Sequence, residues 1–234
     1  MKRIFRSLPL LIATLTLVIN SSCQKEKDFE FENSNLKMEA LSGTTANGTT
    51  NFTAPNTKGY LTTNADGTYG ARNFSQGTVP DEVDESKWKT PADTYYFNLT
   101  QNNGATESDY DFKFSGTANA NFTVNSAKYE LYYINEEISD VDYLDQDGRI
   151  LIPNGTAGYN SLSGIGNSLN AGWYIYNIRT HIMTSYAPRT YILVNKSTGN
   201  SFKIKLRSVY KDETPNSSQA ANNFPFMSFD YKKF

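Results

Sequence analysis

Two residues that can coordinate a metal, His181 and Met183, lie two positions apart in the C-terminal part of the chain. His181 is the only histidine in the 234-residue sequence. An imidazole and a thioether are both axial ligands of haem iron in proteins, and on an extended strand residues two apart point to the same side. The pair therefore fits a haem site, and it also fits a surface histidine and a core methionine in a connecting segment. The sequence leaves both interpretations open.

Sequence patterns typical of catalysis do not occur. There is no Gly-x-Ser-x-Gly motif, and the Gly-Ile-Gly run at 164–166 lacks the third glycine of a phosphate-binding loop. A histidine-based triad could use only His181. Carboxylate pairs such as Asp109 and Asp111 are present, but any acidic β-protein contains such pairs, and a glycosidase built on one is the weaker alternative. We therefore expect a protein that is not an enzyme.

A group of aspartates before Gly148 has some likeness to a calcium-binding loop. The segment does not match the sequence pattern of that loop. Tyr143 would occupy the first ligand position, and Asn154 would occupy the position of the bidentate glutamate. We interpret the segment as a polar connection that ends in an Asp-Gly turn, and we expect no metal beyond haem iron. The aspartates are Asp140, Asp142, Asp145 and Asp147.

The N-terminal residues have the pattern of a secretory signal that ends at a lipid-attachment site. Three cations precede an apolar run at residues 8–19, and small polar residues then lead to Cys23, the only cysteine. The run is too short to span a bilayer as a helix, which takes about 20 residues. We expect residues 1–22 to be a cleaved signal peptide and Cys23 to carry acyl chains that insert into a lipid bilayer. The alternative is an ordinary secretory signal.

Composition divides the rest of the chain into a tether and a domain. Residues 42–80 are mostly small and polar, and such a segment buries little apolar surface on folding. We therefore expect residues 23–81 to form a lipidated tether and flexible linker, with a short hairpin at 59–75 around an Asp-Gly turn. The domain is expected to occupy residues 82–234. The formal net charge of −2 becomes more negative without the signal peptide, which argues against nucleic acid as a partner.

From residue 82 onward, apolar residues recur with a period of two, which is the period of a β-strand. Phe202, Ile204 and Leu206 alternate with three cations, as in an antiparallel strand with one face in solvent, and we expect this segment to pair with residues 191–194. The pattern predicts an all-β fold, a single antiparallel β-sandwich or barrel-like domain with little helix. The expected strands are 95–99, 110–114, 128–134, 149–152, 172–176, 191–194, 201–207 and 226–231.

This succession of segments resembles the HmuY-type lipoproteins of Bacteroidetes. Those proteins contain a tryptophan-aromatic strand, an arginine-led apolar strand, a glycine turn, a strand with lysine and a tyrosine near its end. They close on a further aromatic strand. The resemblance covers residues 85–234, with counterparts in the same order at 94–99, 109–114, 148–152, 173–177, 189–194, 198–204, 208–210 and 227–231.

The resemblance implies an all-β, haem-binding lipoprotein at the bacterial outer membrane or cell surface, which passes haem to a TonB-dependent receptor. It also implies two axial ligands, one after the Gly-Arg strand and one shortly after the tryptophan. In this chain Ile178 occupies the second place and cannot ligate iron, and residues 153–171 contain no histidine or methionine. The ligands expected here are therefore His181, Met183 and Tyr159, singly or as a pair, and the alternative is that the protein binds no haem.

A surface lipoprotein that binds a glycan or a protein without haem is the second interpretation. Exposed aromatic side chains on a β-sandwich stack against sugars, and Trp173, Tyr174 and Tyr176 could supply them. Alternate residues of a strand face inward, however, so packing in the core is the other explanation for these aromatic residues.

Replacing Cys23 by Ser should abolish lipid attachment, because the thiol is the group that receives the diacylglycerol. The wild type should enter the detergent phase in a phase-separation assay, and the variant should stay in the aqueous phase or remain with its signal peptide. Mass spectrometry of the N-terminal peptide should find acyl chains on the wild type alone. An unmodified Cys23, or equal partition of both forms, would indicate an ordinary secretory signal.

Overall fold

The computed structural model describes residues 47–78, 93–142, 148–160, 170–215 and 224–234. The predicted signal peptide and its lipid-attachment residue Cys23 lie outside these ranges, as do Asp145 and Asp147 of the aspartate group. Within the described ranges, no helical segment has the length and the apolar character required to cross a membrane.

Strands form almost all of the regular structure, in agreement with the predicted all-β fold. Short 3₁₀ turns lie at Thr117–Asn119 and Lys211–Glu213. The strands are β1 (Thr49–Asn51), β2 (Thr57–Thr63), β3 (Tyr69–Gln76), β4 (Tyr95–Asn98), β5 (Asn103–Gly104), β6 (Phe112–Ser115), β7 (Asn121–Val124), β8 (Tyr129–Ile134), β9 (Ile150–Leu151), β10 (Thr156–Ala157), β11 (Tyr174–Asn177), β12 (Ile182–Ser185), β13 (Thr190–Asn195), β14 (Ser201–Ser208) and β15 (Met227–Lys233).

Antiparallel pairing joins these strands into three sheets. An eight-stranded sheet has the order β1-β2-β3-β15-β14-β13-β8-β9, and a five-stranded sheet has the order β10-β7-β6-β4-β5. β11 and β12 form a separate hairpin. The two larger sheets share one aromatic core, which confirms the predicted antiparallel sandwich.

Aromatic rings fill the space between the two larger sheets. The ring centroid of Phe97 on β4 lies 5.1 Å from that of Phe229 on β15 and 5.3 Å from that of Phe74 on β3, both in edge-to-face geometry. Phe97 also stacks on Phe112 of the adjacent strand β6 at 5.2 Å. Such pairs contribute about 0.5–1.5 kcal/mol each beyond the area they bury. The contacts of Phe97 with Phe74 and Phe229 therefore hold one sheet on the other.

The central strands of the eight-stranded sheet follow the predicted pairing. β13 pairs with β14, with Leu193 opposite Phe202, and both residues are buried. The outer face of β14 is less solvated than the alternation predicts. Lys203 is buried there, and its ammonium donates a hydrogen bond of 2.6 Å to the carbonyl oxygen of Val141. Ile192, the register partner of Lys203, belongs with Val141 to a small apolar cluster that covers this face.

Residues 49–76 are not the flexible linker that their composition indicated, and the folded region begins before residue 82. β3 pairs with β15 in the eight-stranded sheet and with β2 in the hairpin predicted for 59–75. Leu61 and Phe74 from these strands are fully buried in the aromatic core. A few large buried side chains are sufficient to hold this segment in the fold, because pairing with β15 also satisfies the hydrogen-bonding groups of the β3 main chain.

The turn between β2 and β3 contains the predicted Asp-Gly pair. The Asp66 carboxylate accepts hydrogen bonds from the amide of Thr68 at 3.0 Å and from its hydroxyl at 2.8 Å, and these bonds lower the pKa of Asp66. Gly67 has a φ of +81°, a conformation that glycine adopts without a steric penalty. Local turn chemistry therefore forms this hairpin where the prediction placed it.

A chain that begins at residue 82 should fail to fold cooperatively, because it lacks β3, which supplies Phe74 to the core and pairs with β15. A chain that begins at residue 47 keeps every described strand and is the matched control. Urea unfolding followed by circular dichroism should show one cooperative transition for the control and none for the shorter chain. Transitions with equal midpoints in both chains would mean that residues 49–76 are dispensable for folding.

Candidate functional site

The residues expected to bind haem all lie in or beside the β11–β12 hairpin. Its register places Tyr176 opposite Met183. His181 lies in the turn just before β12. Tyr159 lies next to Tyr174, the first residue of β11, in an isolated parallel bridge. The hairpin therefore brings together residues that are distant in the sequence.

The segment that carries Tyr159 is fixed against the start of β11. The amide of Asn160 donates a hydrogen bond of 2.7 Å to the carbonyl oxygen of Tyr174. Gly172 permits this close approach, because a Cβ atom at that position would lie 2.3 Å from the carbonyl carbon of Tyr159. The segment at Tyr159 and Asn160 therefore lies directly beside the first residue of β11.

Arg189 attaches the base of the hairpin to the eight-stranded sheet. Its buried guanidinium donates hydrogen bonds of 2.6 Å to the carbonyl oxygens of both Asn170 and Gly172. Nε and the second terminal nitrogen donate to Oδ1 of Asn135, at 3.0 and 2.8 Å. These bonds connect the end of β8 to the segment that leads into β11.

Two aromatic rings surround the charge of Arg189. The guanidinium carbon lies 4.5 Å from the ring centroid of Tyr133 and 4.2 Å from that of Tyr186. A cation over an aromatic face is attracted by the ring quadrupole, and the attraction grows when water is excluded. The aromatic rings and the carbonyl oxygens together compensate the burial of this cation.

The turn at the tip of the hairpin is closed by Asn177. Its carbonyl oxygen accepts the amide of His181 at 2.7 Å, and its side-chain Oδ1 accepts the amides of Arg179 and Thr180 at 2.9 and 3.3 Å. His181 has a φ of +56°, in the left-handed region that histidine enters more readily than most residues. Ile178 lies at the tip and is 71% exposed.

The left-handed turn brings the imidazole of His181 to Tyr176. The Tyr176 hydroxyl oxygen and Nδ1 of His181 are 2.6 Å apart, and the two ring centroids are 5.9 Å apart. When the imidazole proton is on Nε2, the hydroxyl donates to Nδ1. The expectation of an extended backbone from His181 to Met183 is wrong, because the turn ends at His181. The register of the hairpin, not a shared strand, places both residues next to Tyr176.

Met183 lies on the inner side of the hairpin, half-buried against the aromatic core. Its amide donates a hydrogen bond of 2.9 Å to the hydroxyl oxygen of Tyr210. Burial raises the pKa of Tyr210, although the bond from Met183 has the opposite effect. The ring of Tyr210 is edge-to-face with that of Phe224 at 6.3 Å. These contacts fix β12 to the segment that follows β14.

Tyr159 and Tyr174 form an aromatic pair at the base of the hairpin. Their ring centroids are 5.8 Å apart, and Tyr159 is 48% exposed. Burial and the neighbouring Tyr159 phenol both raise the pKa of Tyr174, so its phenol is neutral at physiological pH. The pair offers flat, partly exposed aromatic surface beside the strand that carries Tyr176.

Trp173 was one of the aromatic residues considered for sugar binding, but its side chain is not exposed. It is 2% exposed, and its Nε1–H donates a hydrogen bond of 2.6 Å to the carbonyl oxygen of Ala120. Packing in the core is therefore the correct explanation for this residue. Because Ala120 directly precedes β7, Trp173 anchors the hairpin to the five-stranded sheet.

The carboxylate pair Asp109 and Asp111 joins loops at a different position in the fold. The ammonium of Lys128 lies 3.2 Å from Asp111 and 3.7 Å from Asp109. The second oxygen of Asp111 accepts the amide of Leu99 at 2.7 Å. Burial raises the pKa of Asp111, and these hydrogen bonds and the Lys128 charge oppose the shift. Among the described residues, no three His, Cys, Asp or Glu side chains are grouped to hold a metal ion.

Two residues of the site, Tyr176 and Tyr210, were not among the expected ligands. Tyr176 could have been identified, because Asn177 favours a turn and a turn ending at His181 would bring the two rings together. Tyr210 had no such signal, since its position depends on where β14 ends against β12.

Comparison of the chain with protein-family models, with curated proteins and with solved structures gave no significant match.

Replacing Arg189 by Lys should lower the free energy of unfolding by about 2–4 kcal/mol, because an ammonium cannot reproduce the planar set of hydrogen bonds and leaves buried carbonyl oxygens unpaired. Arg179→Lys in the exposed turn is the matched control and should change it by less than about 0.5 kcal/mol. Urea unfolding measures both values. Equal, small effects of the two substitutions would mean that Arg189 does not hold the hairpin.

Proposed function

We propose that the protein is a lipid-anchored, non-enzymatic binding protein of HmuY-like type that captures haem at the β11–β12 hairpin. The observation that supports this proposal is that one hairpin carries three types of donor group. Tyr176 provides a phenol, His181 an imidazole and Met183 a thioether. All three are found as axial ligands of haem iron in proteins.

The donor set and its surroundings fit haem better than a bare metal ion. Bare ions in proteins are held by clusters of carboxylates, thiolates or several imidazoles. The hairpin instead combines single phenol, imidazole and thioether groups with apolar and aromatic surface from Tyr159, Tyr174 and Ile178. The iron of a bound haem would need an axial ligand, and its flat macrocycle would need apolar contacts.

The proposal also includes a lipid anchor at Cys23 and a receptor that receives the haem. Acylation of Cys23 would hold the protein at the outer membrane, because two or three acyl chains anchor firmly where a single chain gives only marginal binding. A TonB-dependent receptor in the same membrane is then the proposed recipient of the haem. The exposed Arg179 in the hairpin turn is a cation suited to the carboxylates of the ligand.

A second candidate function is the binding of a glycan or a protein without haem. The supporting observation is the exposure of Tyr159, which lies beside Tyr174, and of Ile178 at the tip. A sugar ring could stack on Tyr159, and the exposed tip could contact another protein. This candidate needs no iron ligand from His181 or Met183.

Titration of the full chain in detergent with haemin should shift and sharpen the Soret band until the protein is saturated. The double variant His181→Ala/Met183→Leu should bind at least about tenfold more weakly, which is the scale of losses at metal sites when ligands or their hydrogen-bonding partners are removed. Tyr60→Phe, on the half-exposed strand β2, is the control and should bind like the wild type.

A wild-type spectrum identical to that of free haemin would contradict haem capture. A Soret shift that survives the double substitution would leave haem capture in place and move the ligands to other residues. Retention on a glycan array that is lost in Tyr159→Ala, together with no Soret shift, would favour the second candidate.

A further inference from the structure

We propose that the outer face of the five-stranded sheet binds an acidic oligosaccharide, with sugar rings against Tyr96 and Tyr110 and a carboxylate on Lys113. This inference goes beyond haem capture, because none of these residues belongs to the β11–β12 hairpin. It also differs from the second candidate function, in which a sugar stacks on Tyr159 at the base of that hairpin.

The register of the sheet builds a row of side chains from four adjacent strands. Tyr96 of β4 pairs with Lys113 of β6, and Lys113 pairs with Thr123 of β7. Thr123 in turn pairs with Thr156 of β10. Directly paired residues of an antiparallel sheet point to the same face. Because adjacent strands lie about 4.8 Å apart, the row is about 14 Å long and can accommodate more than one sugar ring.

The row lies on the solvent side of the sheet. The neighbouring residues Phe97, Phe112 and Phe122 are fully buried, whereas the residues of the row are partly exposed. Successive residues of a strand point to opposite faces, so the row points away from the aromatic core. The next pair on the same face, Ser115 and Asn121, adds a hydroxyl and an exposed amide.

Two partly exposed tyrosine rings form a corner at one end of the row. The ring centroids of Tyr96 and Tyr110 are 5.2 Å apart, and the ring planes are inclined at 61°. Burial and the nearby Glu107 carboxylate raise the pKa of Tyr96, so its hydroxyl stays protonated at physiological pH and can donate a hydrogen bond. A sugar ring has C–H faces that pack on such an aromatic ring and hydroxyls at its rim that bond to polar neighbours.

The charge of Lys113 favours an acidic ligand over a neutral one. Its ammonium lies 5.7 Å from the ring centroid of Tyr110, and it forms no ion pair with a carboxylate in the part of the chain that the structure describes. On the eight-stranded sheet, by contrast, Arg72 and Arg207 both contact Asp230. A carboxylate on the sugar would give the Lys113 ammonium the partner that the described fold does not provide.

The threonine pair beside Lys113 is arranged to accept hydrogen bonds. The hydroxyl of Thr156 donates to the carbonyl oxygen of Asn154 at 3.4 Å, and the hydroxyls of Thr156 and Thr123 lie 3.0 Å apart. Thr123 therefore donates to Thr156, and its lone pairs face solvent as acceptors for a sugar hydroxyl. An ammonium and a hydroxyl acceptor thus lie side by side, next to aromatic surface, as a hydroxylated acid requires.

The test uses the full chain in detergent on an array of oligosaccharides that contain galacturonic, glucuronic or sialic acid, with their neutral counterparts. The wild type should bind at least one acidic oligosaccharide about fivefold more tightly than its neutral counterpart, which is the scale of an exposed ion pair. High salt should reduce this preference. Lys113→Gln should abolish the preference, and Tyr110→Ala should weaken binding of the acidic sugar by about fivefold.

Lys58→Gln is the matched control, because it makes the same charge change at an exposed position on β2, and it should bind like the wild type. Circular dichroism of each variant checks that it is folded. Backbone amide chemical shifts of the wild type, recorded with the retained sugar, locate the site without any substitution and should change at residues 110–115 and 121–124.

Three results would overturn this inference. They are no retention of any acidic oligosaccharide, a preference for the acid that persists in Lys113→Gln, and shift changes confined to the β11–β12 hairpin. The last result would assign the sugar to Tyr159 instead. Haem capture is measured separately by the Soret band, so its failure would leave this inference in place, and failure of sugar binding would leave haem capture in place.

Discussion

Phe97 lies where the two larger sheets meet, and the rest of the fold depends on its aromatic contacts. Its ring contacts Phe74 and Phe229 from the opposite sheet and stacks on Phe112 from its own sheet. The single cysteine of the chain excludes an intramolecular disulfide, so burial of apolar surface must stabilise the sandwich. This requirement explains why residues 49–76 belong to the sandwich, because their strand β3 provides one of these rings.

The hairpin that carries the candidate site belongs to neither sheet, and the core positions it through three contacts. Trp173 bonds to the carbonyl oxygen of Ala120 beside the five-stranded sheet. Arg189 bonds to the segment before β11, and the oxygen of Tyr210 accepts the amide of Met183. The base and inner side of the hairpin are therefore fixed, while Ile178 at its tip stays exposed. The proposed haem capture depends on this fixed base and on the exposed aromatic and apolar surface beside it.

Prediction from the sequence worked where local pattern and strand geometry agree. The alternation in 201–207 and the apolar run 191–194 predicted the β13–β14 pair, and the Asp-Gly dipeptide predicted the β2–β3 hairpin. The linker prediction failed because the pairing of β3 with β15 joins residues more than 150 positions apart, as the bond from Arg72 to Asp230 illustrates. Composition reports how much apolar surface a segment carries, and it contains no information on which distant strand will pair with it.

The sequence by itself determined the all-β class, the positions of most strands and the residue types with ligand chemistry near the C-terminal end. It named His181, Met183 and Tyr159 but placed His181 on an extended backbone. Only the tertiary structure decided that His181 turns to Tyr176 and that Trp173 is buried. The physical reason is that a left-handed φ and the burial of an indole depend on hydrogen bonds and packing partners. Asn177 and Tyr176 meet His181 only when the register of β11 and β12 closes the turn, and the indole of Trp173 reaches the carbonyl oxygen of Ala120 only when the hairpin folds against the sandwich.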